Sequence, residues 1–304
     1  MTNKKQNQAL WHPKFIPSWI IVFLLFCIAW LPMPYKHAMA KKLGHFVHRK
    51  MKSRTKVTQK NIQACFPELN VAEQDKLVRD SFVSTAEGCF EMLHLWWRDV
   101  TPYIESMTVI GKEHLLEAQS RGTGILLIGG HFGIVDLTLP LVGSQLKRPG
   151  YMYRPNNNPV IDRMIESGRN RNFEIESFNK YQLKEMINFI KDGGEVWYAP
   201  DQDFGARCDV FVPFFGVNTG CLSTPSWIAK ESGATVLHVA PFRLPNGRFE
   251  VIFSPIFEGF GDDKQKDAES WNLALESAIR RHPAQYLWLH KRFKTRAPGE
   301  DPFY

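Results

Sequence analysis

The spacing of apolar and polar positions divides the chain into a helical first third and an α/β remainder. An uncharged apolar run, FIPSWIIVFLLFCIAWLP, covers residues 15–32 and predicts a first helix. Residues 36–66 are basic with a helical pattern, and residues 72–97 carry apolar side chains at helical spacing. Pro102 follows, and we expect the helical region to end there because proline cannot donate a helical hydrogen bond.

Beyond Pro102 the pattern alternates between short apolar runs and helical segments. The runs of strand length are residues 125–128, 151–153, 173–178, 195–199, 235–242 and 249–253. Helical patterns cover residues 111–120, 134–145, 158–170, 181–191, 223–232 and 267–281. The Asn-Gly pair of LPNGRF, residues 244–249, predicts a hairpin turn between the last two strands. This order predicts an α/β fold with a mixed central sheet flanked by helices.

The apolar run at residues 15–32 has the composition of a membrane anchor. A helix over residues 15–31 would measure roughly 26 Å, close to the ~30 Å hydrocarbon core of a bilayer. Trp19 and Trp30 lie near its ends, and no small-residue cleavage site follows. We therefore expect an uncleaved N-terminal membrane helix, spanning or deeply embedded, followed by basic membrane-proximal helices. A buried core helix is the alternative.

Charge is distributed asymmetrically along the chain. The net charge is +7, yet twelve Lys or Arg residues precede the first acidic residue, Glu68, and the remainder has five more acidic than basic residues. Beside an apolar anchor, the basic segment at residues 36–60 favours anionic lipid as its partner and a cytoplasmic position for the body. We expect an N-terminal tail and anchor over residues 1–35 and a single α/β domain, helical at its start, over residues 36–304.

A histidine and an aspartate follow the first strand of the alternation. The segment RGTGILLIGGHFGIVD places His131 directly after Gly129 and Gly130, and Asp136 five positions beyond it. Sites in open α/β sheets lie at the carboxyl ends of strands, and the two glycines permit a sharp turn with unusual dihedral angles. Bent across such a turn, Asp136 can accept the Nδ1 proton of His131 and leave Nε2 free as a general base. The alternative is a core histidine beside an aspartate that faces along a helix.

Three common site motifs are absent from the sequence. There is no G-x-S-x-G nucleophile turn, and the glycines before the strand lack the third glycine of a dinucleotide site. The five cysteines include no C-x-x-C pair, which is typical of reduced thiols without a zinc site. A general base without a resident nucleophile suits direct transfer of a group to a substrate hydroxyl.

Six segments together resemble the late acyltransferases of lipid A biosynthesis, a branch of the glycerolipid and lysophospholipid acyltransferase superfamily. They are NIQACFPEL (61–69), GGHFGIVD (129–136), YRPNNNPVID (153–162), EVWYAPDQDFG (195–205), VFVPFFG (210–216) and QYLWLHKRFKTR (285–296). The resemblance implies a glycerolipid acyltransferase-like fold and an O-acyltransferase of the bacterial inner membrane with an H-x-x-x-x-D motif. It implies transfer of a fatty acyl chain, of lauroyl type, from acyl carrier protein to a hydroxyl on an acyl chain of Kdo-lipid IVA. No cofactor and no metal are expected.

The resemblance also implies roles for the histidine and the acidic residues. His131 would deprotonate the acceptor hydroxyl, while Asp136 would orient the imidazole and stabilise the imidazolium, so that no acyl-enzyme forms. An acidic residue after the strand EVWY would organise the acceptor site. Asp201 and Asp203 match that position and are candidates for substrate binding.

Basic residues near the second strand are further candidates for substrate binding. Arg154 precedes the PNNNP segment, which contains Asn156, and its guanidinium suits a phosphate of the acceptor or the oxyanion. Arg169 and Arg171 end the next helix and are candidates for phosphate contacts, although a helix C-terminus favours cations in any case. The alternatives are that Arg154 caps a turn, or that Arg154 or Arg169 forms an ion pair with Asp201 or Asp203 after the EVWY strand.

Two basic clusters are candidate docking sites for acyl carrier protein, which is acidic. One lies within residues 50–60, and the other comprises Lys291, Arg292, Lys294 and Arg296. The alternative for both clusters is solvated surface charge.

Other function classes fit parts of the sequence. A coenzyme A-dependent lysophospholipid or glycerol-phosphate acyltransferase would use the same pair, and its donor preference would distinguish it. A non-catalytic membrane tether predicts that His131 and Asp136 can be replaced without loss of function. Nucleic-acid binding is not expected, because the basic segment lacks interleaved aromatic residues and contains no known module.

Overall fold

A computed structural model describes residues 10–171 and 174–304, and its first part is helical. The N-terminal helices are α1 (Ile16–Ala29), α2 (Met33–Lys50), α3 (Lys52–Cys65), α4 (Val71–Trp97) and α5 (Thr101–Ser106). Helix α4 begins at a capping box, in which the side chains of Asn70 and Glu73 each accept the other's backbone N–H. Both helical regions expected between the apolar run and Pro102 are confirmed, the first of them as two helices, α2 and α3.

Strands and helices alternate through the rest of the chain. The strands are β1 (Thr108–Ile110), β2 (Ile125–Ile128), β3 (Pro149–Tyr153), β4 (Glu176–Asn179), β5 (Glu195–Tyr198), β6 (Val210–Phe214), β7 (Val217–Cys221), β8 (Thr235–Arg243) and β9 (Phe249–Phe253). The helices are α6 (Lys112–Ser120), α7 (Val135–Gly143), α8 (Pro159–Arg169), α9 (Leu183–Lys191), α10 (Thr224–Ser232) and α11 (Lys264–Arg281). All six helices expected in this region are found.

Seven strands form one mixed sheet in the order β1-β9-β8-β2-β5-β3-β4. Every neighbouring pair is parallel except β8 and β9, which are antiparallel and joined by the expected hairpin. Leu126 and Ile128 of β2 pack into one hydrophobic core with α9 and α11, whereas Ile125 and Leu127 pack into another with α6 and α7. Helices therefore cover both faces of the sheet, and the expected α/β fold with a mixed central sheet flanked by helices is confirmed.

Three features of the sheet region differ from the expectation, and the first is β1, an edge strand that the alternation did not predict. The strand expected at residues 173–178 is β4, which begins at Glu176, and residues 172–173 lie outside the described part of the chain. Strands β6 and β7 form a separate antiparallel hairpin that the alternation did not predict. Val212 and Phe214 of β6 are fully buried, so this apolar segment belongs to the core.

The apolar run forms a shorter helix than its sequence suggests. Helix α1 has 14 residues and ends at Ala29, and α2 begins at Met33, directly after Pro32. Across the described ranges, 10–171 and 174–304, the structure has no helix that is both long enough and apolar enough to cross a membrane. The expectation of a transmembrane helix over residues 15–32 is therefore not supported.

Helix α1 nevertheless exposes most of its apolar side chains. Ala29 is its one buried residue, whereas Phe23 and Leu24 are 63% and 54% exposed. The ammonium group of Lys36, a buried residue of α2, donates to the Ala29 carbonyl oxygen over 3.0 Å. This contact fastens the C-terminal end of α1 to the body and leaves an apolar helix face uncovered. The alternative expectation, a buried core helix, is wrong.

Candidate active site

His131 lies at the carboxyl end of β2, in the turn that leads to α7. Its Nδ1 is 2.5 Å from Oδ1 of Asp201, and its backbone N–H donates to Oδ2 of the same carboxylate over 2.8 Å. Asp201 follows β5, and because β2 and β5 are parallel neighbours, their carboxyl ends lie side by side. Both oxygens of Asp201 are therefore engaged by one residue.

Burial and charge shift the pKa values of both members of this pair. The Asp201 side chain is fully buried, and the His131 side chain is 24% exposed. Burial alone would raise the pKa of Asp201, but the adjacent imidazole and the donated N–H lower it to about 2. Burial would likewise lower the pKa of His131, but the Asp201 carboxylate outweighs it and raises that pKa above its ordinary value.

The hydrogen bond also fixes the tautomer of neutral His131. Because an ionised carboxylate can only accept, Nδ1 carries the proton and Nε2 carries the lone pair. Among the residues that the structure describes, Nε2 has no hydrogen-bond partner. The ring is therefore held and polarised on one side and available to a substrate on the other.

The expected contact between His131 and Asp136 is not formed, and Asp201 takes its place. Asp136 lies in the first turn of α7, where its carboxylate accepts from Nε1 of Trp96 over 3.0 Å and from Nη2 of Arg169 over 2.6 Å. Because α7 already begins at Val135, the turn after the strand ends before Asp136 is reached. The indole of Trp96 thus holds the second carboxylate.

Arg169 fastens the end of α8 to α7, and Arg171, just beyond that helix, binds α4. The Arg169 side chain is 16% exposed, pairs with Asp136, and lies 5.4 Å from the centre of the Tyr151 ring. Nε of Arg171 donates to the Trp96 carbonyl oxygen over 2.9 Å. Arg169 is therefore engaged in a buried ion pair with Asp136. It does not pair with the aspartates after β5, which were its expected alternative partners.

Arg154 and Asn156 lie on the exposed loop between β3 and α8. The Asn156 N–H donates to Oδ1 of Asp162 over 2.6 Å, and its side-chain oxygen accepts from the Asn158 N–H over 2.9 Å. Asn156 thus shapes the loop that leads into α8. Arg154 makes no hydrogen bond or ion pair with any residue in the described ranges.

Asp203 holds the C-terminal segment. Its carboxylate accepts from the Thr295 backbone N–H over 2.6 Å and from the Thr295 hydroxyl over 2.9 Å. Its own N–H donates to Nε2 of His290 over 2.9 Å.

The basic cluster expected near the C-terminus does not form one exposed surface. Arg292 is buried and donates to the Gly220 carbonyl oxygen.

Two elements hold the turn around His131, one on each side. The sequence pattern predicts this role for neither of them. The Leu287 N–H donates to the His131 carbonyl oxygen over 3.0 Å, and the Gly133 N–H donates to the Gln285 carbonyl oxygen over 2.7 Å. On the other side, α4 approaches so closely that a Cβ added at Gly88 would lie 1.7 Å from the Gly133 oxygen. The C-terminal segment and α4 therefore both position the turn.

The two glycines before His131 lie in tight packing. Neither Gly129 nor Gly130 has a positive φ, so the expected unusual dihedral angles are not found. A Cβ at Gly129 would lie 2.2 Å from Nε1 of Trp197, and a Cβ at Gly130 would lie 2.6 Å from Cδ1 of Leu275. A side chain at either position would collide with the neighbours that enclose the strand end.

Comparison with known proteins identifies the family. Residues 3–295 match the family described as bacterial lipid A biosynthesis acyltransferase. The chain is 38% identical over 304 residues to the lipid A biosynthesis lauroyltransferase of Escherichia coli (strain K12), covering 98% of each chain. It is 29% identical over 303 residues to the lipid A biosynthesis palmitoleoyltransferase of the same strain, covering 99% of this chain and 98% of that one. The resemblance seen in the sequence is thus confirmed, and the chain belongs to the family of bacterial lipid A biosynthesis acyltransferases.

Proposed function

We propose that the protein transfers a lauroyl-type acyl chain from acyl carrier protein to a hydroxyl on an acyl chain of Kdo-lipid IVA. Family membership supports acyl transfer in lipid A biosynthesis, and the lauroyltransferase relative supports the chain type. The donor and the acceptor follow from the resemblance of the motifs. The observation that carries the chemistry is the hydrogen bond between His131 and Asp201, which leaves Nε2 of His131 without a partner in the described residues.

The proposed reaction needs no covalent enzyme intermediate. Nε2 of His131 takes the proton of the acceptor hydroxyl while the hydroxyl oxygen attacks the thioester carbonyl carbon. The tetrahedral intermediate collapses, the carbon–sulfur bond breaks, and the departing thiolate takes the proton from Nε2. Asp201 stabilises the imidazolium that exists between these two transfers, as the third member of a catalytic triad does. General-base assistance of this kind contributes about 10²–10⁴ in rate.

The other expected site residues take different parts in this proposal. Asp136 is a positioning residue, because it acts on His131 only through the first turn of α7. Arg154, which is exposed and has no partner in the part of the chain that the structure describes, contacts an acceptor phosphate, with Asn156 shaping its loop. Asp203 holds the C-terminal segment in this proposal, because both its oxygens accept hydrogen bonds from Thr295.

We propose that the protein works at the cytoplasmic face of the bacterial inner membrane, with its catalytic body in the cytoplasm. The exposed apolar side chains of α1 would embed at the membrane interface. Helix α2 adds Phe46, which is 53% exposed, and the exposed cations Lys41, Lys42 and Arg49. Apolar and basic side chains together suit an anionic lipid surface.

The test is an acylation assay read by mass spectrometry. Purified protein is incubated with Kdo-lipid IVA and lauroyl, myristoyl or palmitoleoyl acyl carrier protein, beside the variants His131→Ala and His114→Ala. Addition of one acyl unit by the wild type and by His114→Ala, but not by His131→Ala, is the expected result. Equal products from all three proteins would show that His131 is structural. Transfer only from acyl-coenzyme A to a lysophospholipid would place the protein in the alternative enzyme class.

A further inference from the structure

A cleft of about 590 Å³ lies between α3 and the C-terminal end of the chain. Its lining includes Lys52, Lys56 and Lys60 of α3, together with Lys291 and Tyr304 of the C-terminal segment. Among the described residues, none that lines it is acidic. We call this feature, defined by its four lysines, the lysine cleft.

The lysines of α3 form a row along one side of their helix. Lys52, Lys56 and Lys60 are four residues apart, so they lie roughly one turn apart along about 12 Å of the axis. Lys60 donates to the Phe303 carbonyl oxygen over 3.1 Å, whereas Lys52 and Lys56 have no ion-pair partner in residues 10–171 and 174–304. Lys291 lies 5.2 Å from the centre of the Tyr304 ring. The cleft therefore concentrates positive charge that the described protein does not neutralise.

The cations at the start of α3 do not serve the stability of that helix. The first turn of α3 contains Lys52 and Arg54 and no acidic residue. A helix N-terminus carries partial positive charge and favours acidic side chains, so cations at these positions are unfavourable for the isolated helix. Their presence is better explained by a partner with negative charge.

The lysine cleft is connected to the active site by one short segment. Asn61 of α3 donates to the Trp288 carbonyl oxygen over 2.8 Å, and the neighbouring Leu287 N–H donates to the His131 carbonyl oxygen. Lys291 follows four residues after Leu287, which limits the distance between their Cα atoms to roughly 14 Å. A partner bound in the cleft would thus lie beside the segment that holds the His131 turn.

We infer that the lysine cleft docks an acidic helix of the acyl-donor protein. This rests on the proposed function, in which the donor is acyl carrier protein. Carboxylates spaced one turn apart on a convex helix match a row of lysines in a concave cleft, whereas a lipid headgroup layer is flat. The position beside the His131 segment suits a partner that must deliver a tethered acyl chain to Nε2. Because the charges are solvated, such docking is sensitive to salt.

The test compares a protein-bound donor with a small donor. The double variant Lys52→Glu/Lys56→Glu is measured beside the control Lys184→Glu/Lys191→Glu, which reverses two exposed lysines of α9. Acyl carrier protein and pantetheine carry the same acyl group, and the acceptor is Kdo-lipid IVA. For the cleft variant, we expect the KM for the protein donor to rise on the order of 10-fold and its salt dependence to weaken. The KM for the acceptor and the rate with acyl-pantetheine should match those of the control.

Folding of the cleft variant is checked by circular dichroism and is expected to be normal, because glutamate at position 52 suits the N-terminus of α3. An unchanged KM for the protein donor would overturn the inference alone. A raised KM for Kdo-lipid IVA in its place would show that the cleft binds anionic lipid, and would also overturn it. If the wild type used acyl-pantetheine or acyl-coenzyme A but not the protein donor, the donor of the proposed function would be wrong as well.

Discussion

Two buried carboxylates, Asp136 and Asp201, have different partners, so removing each of them affects the protein differently. Asp201 faces His131, which can lose its proton, so removing Asp201 changes the basicity of the imidazole. Asp136 faces Arg169, whose guanidinium is permanently charged and mostly buried. Removing Asp136 therefore leaves an unpaired buried cation, and its main effect falls on stability.

We predict that Asp136→Ala lowers the free energy of unfolding by about 3–5 kcal/mol, the usual result of removing one partner from a buried ion pair. The measurement is urea denaturation followed by tryptophan fluorescence. The double variant Asp136→Ala/Arg169→Met serves as the control and should recover part of the loss, because it removes the stranded charge. A loss below about 1 kcal/mol, as for an exposed pair, would contradict this view of the contact.

The sequence points to His131 as a candidate base, but not to the carboxylate that binds it. A histidine directly after a buried strand and two glycines lies where α/β sheets place their sites. Asp201 is 70 residues away in sequence and becomes a neighbour only because β2 pairs with β5. Spacing along the chain favours Asp136 instead, but the start of α7 carries that carboxylate to Trp96 and away from the imidazole.

At the scale of elements, α4 positions the active-site turn by close backbone approach. Replacing a helical glycine by alanine ordinarily stabilises a protein by about 1 kcal/mol. At Gly88 the added Cβ would collide with the Gly133 oxygen, so we predict that Gly88→Ala destabilises the protein by about 1–3 kcal/mol. Because the turn must shift, kcat/KM should fall by as much as about 10²-fold.

Melting temperature and kcat/KM are measured for Gly88→Ala beside Cys89→Ala, which alters the next and exposed position of the same helix. The control should keep the wild-type values. A Gly88→Ala protein that is more stable than the wild type and fully active would show that the turn tolerates the shift.

Apolar periodicity correctly predicted the elements whose buried residues follow one clear pattern along the sequence. Strand β2 is buried over all four residues, and its bounds agree with the prediction. Strand β1 was missed because it has three residues at the sheet edge, two of them exposed. The β6–β7 hairpin was missed because its turn, at Phe215 and Gly216, contains no Asn-Gly pair. The turn also lies within an apolar run, so the sequence pattern does not show that the chain reverses there.

At the scale of the whole molecule, apolar surface and positive charge are concentrated near the N-terminus. Helix α1 packs its C-terminal end into the same core as β2 and α7, while its other apolar side chains face outward. Apolar exposure of this kind marks an interaction surface. The division at residue 35 into an anchor and one catalytic domain stays a prediction, as does the inner-membrane location.

We predict that Phe23→Ser/Leu24→Ser weakens membrane binding without lowering stability, because both side chains are exposed. The measurement is co-flotation with phosphatidylethanolamine and phosphatidylglycerol vesicles, together with the melting temperature. Leu273→Ser, which replaces a leucine that is 68% exposed on α11, serves as the control and should bind vesicles like the wild type. Equal flotation of all three proteins would exclude α1 as the membrane contact.

The most direct test of the central claim is the pH dependence of kcat/KM for the wild type, Asp201→Asn and Asp136→Asn. In the proposed mechanism the base is neutral His131, so kcat/KM should fall as the pH drops through the pKa of that imidazole. In the wild type Asp201 raises this pKa, and in Asp201→Asn only the effect of burial remains, which lowers it. We therefore predict that the acid limb of Asp201→Asn moves to lower pH and its plateau falls, while Asp136→Asn keeps the wild-type limb. An unmoved limb in Asp201→Asn, or a shift in Asp136→Asn alone, would contradict the assignment of Asp201 as the partner of the catalytic base.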